Sequence, residues 1–600
     1  MKKKYIIVII MLAVIGVWNS CKSDFLTVAP TGGLDQGLLQ NAKGIDALLV
    51  GAYSMIDGVN ANYGWEATSS NWVYGSIRGM EANKGTDGGD QPDINPLQTY
   101  SETATNPYLN VKWREVYEAI SRCNSVITVA TKALAATKIT QAQFDNFVLQ
   151  ARALRGWYHF EAWRMWNMVP YMDELQDPKT VTNDTDISDK IIADLTAAKD
   201  LPDNMGAIGR FNGTVVKVIL AKVLMQTKHD YAGALALLNV AKSGTKADGS
   251  AIGLQAKYGD IFDAANRNGL EAVYTVESSV NDGSGASNAG PGEVLNFPYK
   301  SGGSPGGCCG FFDPTQEFVN SFRTNAAGLP LLDNTYNATP VKNDQGLAKN
   351  PAKDATTGLA YADAAYTPDA GNLDPRLDWT VGRRGIAYWD WGLHTGADWI
   401  RDQTYSGPWS PKKQVYKRSQ EKALTDISSW TSGYTANGYR MIRYADVLLM
   451  IAECQIETGS LLAAQTNINL VRARAANAAG FVTTLNPADG TPTATAAANY
   501  VINQYPVGAV YPFDNQANAR LALRMERKLE LGTEGHRYFD LQRWGNVVTE
   551  LNRVLTYEKT MQWGNKLYGT AVVAAEDVNF PIPQTQLDLS QGKILQNTGH

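Results

Sequence analysis

Residues Arg524 to Gly545 read RMERKLELGTEGHRYFDLQRWG. Glu526 and Glu530 lie four apart, so on a helix they share a face. Two carboxylates roughly 5 to 9 Å apart can flank a glycosidic bond and cleave it. The surroundings argue otherwise. Arg524, Arg527, Arg537 and Arg543 crowd the same stretch, and a guanidinium keeps a neighbouring carboxylate ionised. A general acid needs the opposite, a raised pKa. The pattern therefore predicts structural ion pairing. Gly535 is placed to turn the chain between two helices, with Asp540 and Arg543 at i,i+3 on the second. Glu534 and His536 could form a metal or proton-transfer pair, but the five histidines are scattered along the chain.

Other chemistries leave no signature. The chain has no phosphate-cradling G-x-x-x-x-G-K-[ST] and no G-x-S-x-G nucleophile elbow, so no cofactor is expected. DGGDQPD offers Asp87, Asp90 and Asp93, but without the alternating oxygen ligands and terminal glutamate of a calcium loop. No metal is expected there. There are five cysteines and neither a C-x-x-C pair nor a zinc spacing. Cys123 and Cys454 fall in helical patterns and read as buried thiols. Cys308 and Cys309 are adjacent, in SGGSPGGCCGFF. Outside the cytoplasm they can close a vicinal disulfide, with glycines on both sides to accept the required dihedrals. Two reduced, buried thiols are the other reading.

The elements that position these residues are mostly helical. NPYLNVKWREVYEAISRCNSVITVATKAL reads as one amphipathic helix after Pro107, with Val111, Val116, Ile120, Val126 and Ile127 along a broad face. FDNFVLQARALRGWYHFEAWRMWNMVP is another, stopped by Pro170. Further helices fall near 186–199, 213–227 and 230–242. TVVKVILAKVLMQT with DYAGALALLNVAK, and MIRYADVLLMIAECQIETG with SLLAAQTNINLVRARAANA, look like tetratricopeptide-type hairpins. Gly459 stands where a helix would be capped. Trp113, Trp157, Trp163 and Trp544 lie in helical patterns and are expected in the core. From about 255 to 435 this periodicity lapses, apart from the short PTQEFVNSF and the strand-like EAVYTVESS. Six tryptophans fall between Trp379 and Trp430, so the stretch reads as a long excursion folded onto the helices; long loops in packed proteins usually carry function.

Length, composition and the first residues set the frame. The chain has 600 residues, 44% apolar and 19% charged, with a net charge of −5. That supports a large core and gives no basic footprint for nucleic acid. Lys2, Lys3 and Lys4 precede an apolar run from Tyr5 to Trp18. Fourteen helical residues span about 21 Å, short of a bilayer core of about 30 Å. A signal peptide over 1–20 fits better. Asn19-Ser20-Cys21 resembles a lipobox, making Cys21 the expected lipidated N-terminus, 21–43 a tether, and the outer membrane a partner through the anchor. Residues 44–600 are expected as one domain, with a helical scaffold over about 44–250 and 436–600 and the loop-rich excursion between.

Four stretches together, ARALRGWYHFEAWRMWNMVPYMDE, YRMIRYADVLLMIAECQIETG, RMERKLELGTEGHRYFDLQRWG and NFPIPQTQLDLSQGKILQNTGH, resemble the SusD/RagB family of Bacteroidetes outer-surface lipoproteins. The resemblance implies a mainly α fold: about four tetratricopeptide-like helix pairs supporting a loop-rich, aromatic-rich half with little β structure. It implies a cell-surface, lipid-anchored, non-catalytic protein that captures oligosaccharide or polysaccharide. It also implies a partner, a SusC-like TonB-dependent transporter that receives the glycan. A peptide-binding relative of RagB type is the alternative.

A sugar presents an apolar ring face and a rim of hydroxyls, met by aromatic planes and planar polar groups. Two stretches offer that mixture. NYGWEATSSNWVYGSIRG supplies Tyr63, Trp65, Asn71 and Trp72. WTVGRRGIAYWDWGLHTGADWIRD supplies Arg383, Arg384, Trp389 and Trp391. Cys308, Cys309 and Phe311 add a rigid apolar plate if the disulfide forms. A glycoside hydrolase would instead need paired carboxylates in the loop half, such as Asp390 and Asp398. A helical scaffold for protein partners is a further alternative.

Overall fold

The computed structural model describes residues 36–58, 64–290, 292–299, 303–347 and 349–600. The expected signal peptide, the lipidation site Cys21 and the candidate Tyr63 lie outside the described residues. No helix among those described is long and apolar enough to cross a membrane.

The helices start where the sequence supplies caps. Helix α1 spans Ala42–Tyr53, with the Asn41 side chain accepting from the Gly44 N–H. Helix α2, Pro107–Ala135, begins at a proline whose missing N–H costs nothing in the first turn, and the Asn106 side chain accepts from Tyr108. Helix α3, Gln141–Trp166, opens with a capping box between Thr140 and Gln143. Helices α4 (Ser188–Ala198), α5 (Gly213–Thr227) and α6 (Tyr231–Ala241) follow, the last two capped by Asn212 and Asp230. After the excursion come α7 (Tyr444–Glu457), α8 (Leu461–Ala475), α9 (Gln516–Leu531), α10 (Arg537–Arg543) and α11 (Val547–Glu558). Gly459 takes φ +85° just past α7, the left-handed residue that ends a helix at little cost.

Successive helices stack as hairpins. α2 packs on α3, α3 on α4, α4 on α5, α5 on α6, α6 on α7 and α7 on α8. The inner face of α2 is Leu109, Trp113, Val116, Ile120, Cys123, Val126 and Ile127; Val111 is only partly covered. Small residues permit the approach: Ala151, Ala153 and Ala162 on α3 and Ala445 and Ala452 on α7 are fully enclosed. Burial of each large apolar side chain is worth about 1.5–3 kcal/mol before conformational entropy is set against it.

β structure is slight. Three two-stranded antiparallel sheets occur among the described residues. Strand β1 (Ala272–Val276) pairs with β4 (Tyr439–Arg443), joining the start of the excursion to its end with Ala272 opposite Arg443. Strands β2 (Val381–Gly382) and β3 (Ser410–Pro411) pair within it. β5 (Thr483–Leu485) and β6 (Pro492–Ala496) form an outlying hairpin. The excursion is otherwise irregular but not loose. Its aromatic side chains form their own core of Phe297, Tyr388, Trp391, Trp399, Val415 and Tyr416.

Candidate functional site

The charged C-terminal stretch is a buried ion-pair lattice. Glu530, on α9, is bonded by Arg376, Arg443 and Arg474. Glu526 receives Arg376 at 2.6 Å and Arg472 at 2.9 Å. Glu534 receives Arg443 and Lys413, each at 2.7 Å. Arg527 bridges Asp446 and Asp540, and Arg543 joins Asp540 to Glu453. Burial alone would push the Glu530 and Glu534 carboxyls up, but the surrounding cations outweigh it and hold both below the ordinary range. Asp540 is drawn down to about 2 in the same way. His536 is half-buried, and burial beside Lys222 and Arg527 lowers it to about 4, so it is neutral near pH 7. These carboxylates are ionised and sealed from solvent, the reverse of a poised general acid. Gly535 makes the turn at φ +79°, where a Cβ would lie 1.8 Å from the Ser70 carbonyl oxygen.

Two carboxyls are tuned upward and are equally enclosed. Burial raises Glu81 to about 7 despite the Ser76 hydroxyl, and Glu558 to about 8 despite the Glu317 N–H. Asp390 and Asp398 form no pair. Asp390 accepts from the Ser419 N–H at 2.9 Å, and Asp398 binds Lys353 at 2.6 Å.

Most of the aromatic and guanidinium candidates lie inside. Trp72 is 2% exposed, edge-on to Phe311 and Phe312 at 6.4 and 5.7 Å. Phe311 is fully buried and Trp65 is 7% exposed. Asn71, at φ 47°, donates to Glu161 at 3.0 Å and starts the tight turn that carries Trp72 inward. Trp391 is 4% exposed and donates to the Tyr416 carbonyl at 3.0 Å. Arg383 is clamped on Asp378, and Arg384 on Asp363 at 2.7 Å with Asp344 beyond. None of these seven presents a face to a ligand in this structure. The physical reasons differ: the rings gain by leaving water, while Asn71, Arg383 and Arg384 can be buried because each has a polar partner. Trp389 is half-buried, tilted on Trp379 at 5.0 Å with the Lys417 ammonium 5.4 Å from its ring.

Cys308 and Cys309 are bonded to each other, Cys308 half-buried and Cys309 buried. Their segment is held from two sides. Gly310 donates to the Phe297 carbonyl at 2.8 Å and Phe312 to the Lys84 carbonyl at 2.8 Å. Trp72 lies against Phe311 and Phe312, which follow the pair in the chain, so two of the candidate stretches do meet. Gly307, at φ +69°, has no described residue within 4 Å of where a Cβ would stand, so that side is open among the described residues.

Residues beyond the sequence candidates frame this opening. Tyr299 and Arg401 flank Gly310, with the guanidinium 5.2 Å from the Tyr299 ring. Arg401 also donates to Thr86 at 2.9 Å and pairs with Asp87 and Asp90. Burial would raise the Asp87 carboxyl, but the Gly89 and Asp90 N–H groups and Arg401 hold it below the ordinary range. On the other flank, Thr431 donates to the Gly306 carbonyl, and Trp430 beside it is 58% exposed. The Tyr434 ring meets Trp430 at 6.2 Å and 85°. Nothing in its local setting, SSWTSGYT, sets Trp430 apart from the indoles that are buried.

The fold is a helical-repeat scaffold carrying a loop-built face. The chain belongs to the SusD family, which it matches over residues 270–600, more than half its length. No curated protein matches it. Solved structures similar to it include a SusD superfamily protein from Bacteroides vulgatus, with TM-score 0.63 and 18% identity over 94% of this chain and 100% of that one. A laminarin binding SusD-like protein superposes with TM-score 0.61 and 20% identity, over 93% and 100% of the two chains. Surface glycan-binding protein A from Bacteroides thetaiotaomicron, in complex with laminarihexaose, gives TM-score 0.60 and 21% identity over 92% and 99%.

Proposed function

We propose that this protein is a non-catalytic glycan-binding protein of the bacterial cell surface, anchored to the outer membrane by lipid on Cys21. It captures oligosaccharide on its loop face and delivers it to a SusC-like TonB-dependent transporter. The observation that carries the binding role is Trp430. Trp72, Trp391, Trp399 and Trp409 are sealed inside, whereas this indole stands in solvent next to Thr431, which bonds the Gly306 carbonyl two residues before the disulfide. An exposed indole forgoes the free energy of burial, and a sugar face returns it on binding. Cys308–Cys309 and Tyr299 extend the apolar platform, and Asp87, Asp90 and the Gly306–Gly307 backbone offer partners for hydroxyls. The glycan ligands of two structural relatives support the same reading. The lack of catalysis is supported by the sealed, ion-paired state of the C-terminal carboxylates.

The test is calorimetric titration of the mature protein against neutral polysaccharides, their oligosaccharides and a set of peptides. Saturable binding of a glycan is expected, with a dissociation constant roughly between micromolar and millimolar because a shallow site leaves little surplus over ordering costs. No reducing sugar should appear on prolonged incubation. Binding of peptides alone, or release of reducing ends, contradicts the proposal.

A further inference from the structure

A second cleft opens on the helical body, built by elements that take no part in the loop face. It encloses about 390 Å³, within the usual range for small-molecule sites. The ends of α3, α5 and α10 converge on it, contributing Trp163, Asn167, Gln226, His229, Gln542 and Trp544.

Both indoles are fixed by their edges before any ligand arrives. The Trp163 N–H donates to Asp186 at 2.8 Å and the Trp544 N–H to Glu453 at 2.8 Å. The Trp544 ring already has the Arg524 and Arg543 guanidiniums 4.9 Å from its centroid. The Trp163 ring has no aromatic or cationic partner among the described residues and is half-buried. The amides beside it, Asn167, Gln226 and Gln542, carry no charge. Gln226 donates to the Gln542 oxygen at 2.8 Å, which leaves its own oxygen as an acceptor. Gln542 spends its N–H groups on the Arg164 and Val578 carbonyls. The Asn167 carboxamide and the exposed His229 imidazole make no hydrogen bond among the described residues. Arg543, the cleft's cation, is matched by Glu453 and Asp540. Asn167 has φ +61° and ψ −78°, and His229 has φ +50°. Glycine would be the undemanding residue at both positions, yet the chain places hydrogen-bonding side chains there.

A half-buried indole with no ring or cation partner among the described residues, beside unspent amides, suits one ligand chemistry, an uncharged ring bearing hydroxyls. We propose that this cleft is a second saccharide subsite, in which a sugar ring stacks on Trp163 and its hydroxyls bond Asn167, Gln226 and His229. The choice of ligand class rests on the function proposed above; the site itself shares no residue with the loop face. A polysaccharide long enough to reach both would gain avidity from the second contact.

The test uses the full mature chain labelled with 5-fluorotryptophan, with the Trp163 and Trp430 resonances assigned through Trp163→Phe and Trp430→Phe. Laminarin, xylan, galactomannan, levan and their short oligosaccharides are titrated. The Trp163 resonance is expected to shift saturably with at least one sugar, and to do so also in Trp430→Ala. Asn167→Gly should weaken that response by about fivefold or more, the loss of one hydrogen bond. Glycine accepts the positive φ, so this variant should keep its thermal midpoint. A Trp163 resonance unmoved by every sugar overturns the inference, as does a response indifferent to Asn167→Gly. A shift at Trp163 without one at Trp430 upholds this cleft and overturns the loop-face site. A shift at Trp430 alone does the reverse.

Discussion

Arg443 shows what the charged side chains do. It reaches Glu271, Glu530 and Glu534 at 2.6 to 3.0 Å while fully enclosed. Such a lattice makes stability depend on pH in two opposed ways. The carboxyls of Glu530, Glu534 and Asp540 have folded pKa values below their ordinary ones, so their stabilising effect is complete above about pH 4.5. It is lost as pH falls toward about 2, where Asp540 takes its proton. Glu81 and Glu558 have folded values raised from 4.5 to about 7 and about 8. Their contribution is complete below pH 4.5 and is lost as pH rises through those values. The thermal midpoint, followed by circular dichroism, should therefore peak near pH 5, drop steeply below about 4 and decline gently toward 8. Glu558→Gln should flatten the gentle limb and leave the steep one. A midpoint that rises steadily from pH 5 to 8 contradicts this assignment.

The helices were legible because their signals are local. Pro107, Thr140 with Gln143, Asn212 and Gly459 mark ends, and the apolar period marks faces. Gly535 was legible as a turn, but its neighbour was not. Ser70 is 465 positions away in the chain, and the near-contact of the two backbones arises only in the folded molecule. Gly535→Ala should destabilise by about 2 kcal/mol or more, from the left-handed backbone and the overpacking together. Denaturant unfolding measures it, and an unchanged midpoint would show that the turn is not tight. The aromatic loops failed as a guide for a related reason. Glycine and asparagine beside an indole mark an irregular segment, not an exposed one. Trp72 and Trp391 sit in such segments and face inward, while Trp163, on a helix expected to bury it, lines a cleft. Whether a ring meets solvent depends on what closes over it, and that is a long-range property the local pattern does not carry.

Across the molecule, the ion-pair lattice and the loop face have separate duties. Arg376, from the excursion, joins Asp374 to Glu526 and Glu530, and β1–β4 ties the two ends of the excursion together beside them. The irregular half is thereby fixed to the helices. The resemblance in the four sequence stretches led to the family because three of them are helical scaffold and lattice, where packing constrains residue type. The loop residues that frame the opening, Tyr299, Arg401 and Trp430, are set by no such constraint. The most direct test is therefore calorimetric titration of wild type and Trp430→Ala with the glycan that wild type binds most tightly. The account predicts that the variant keeps its thermal midpoint and loses affinity by at least about tenfold, the worth of one stacked ring. Unchanged affinity in a folded variant would contradict it.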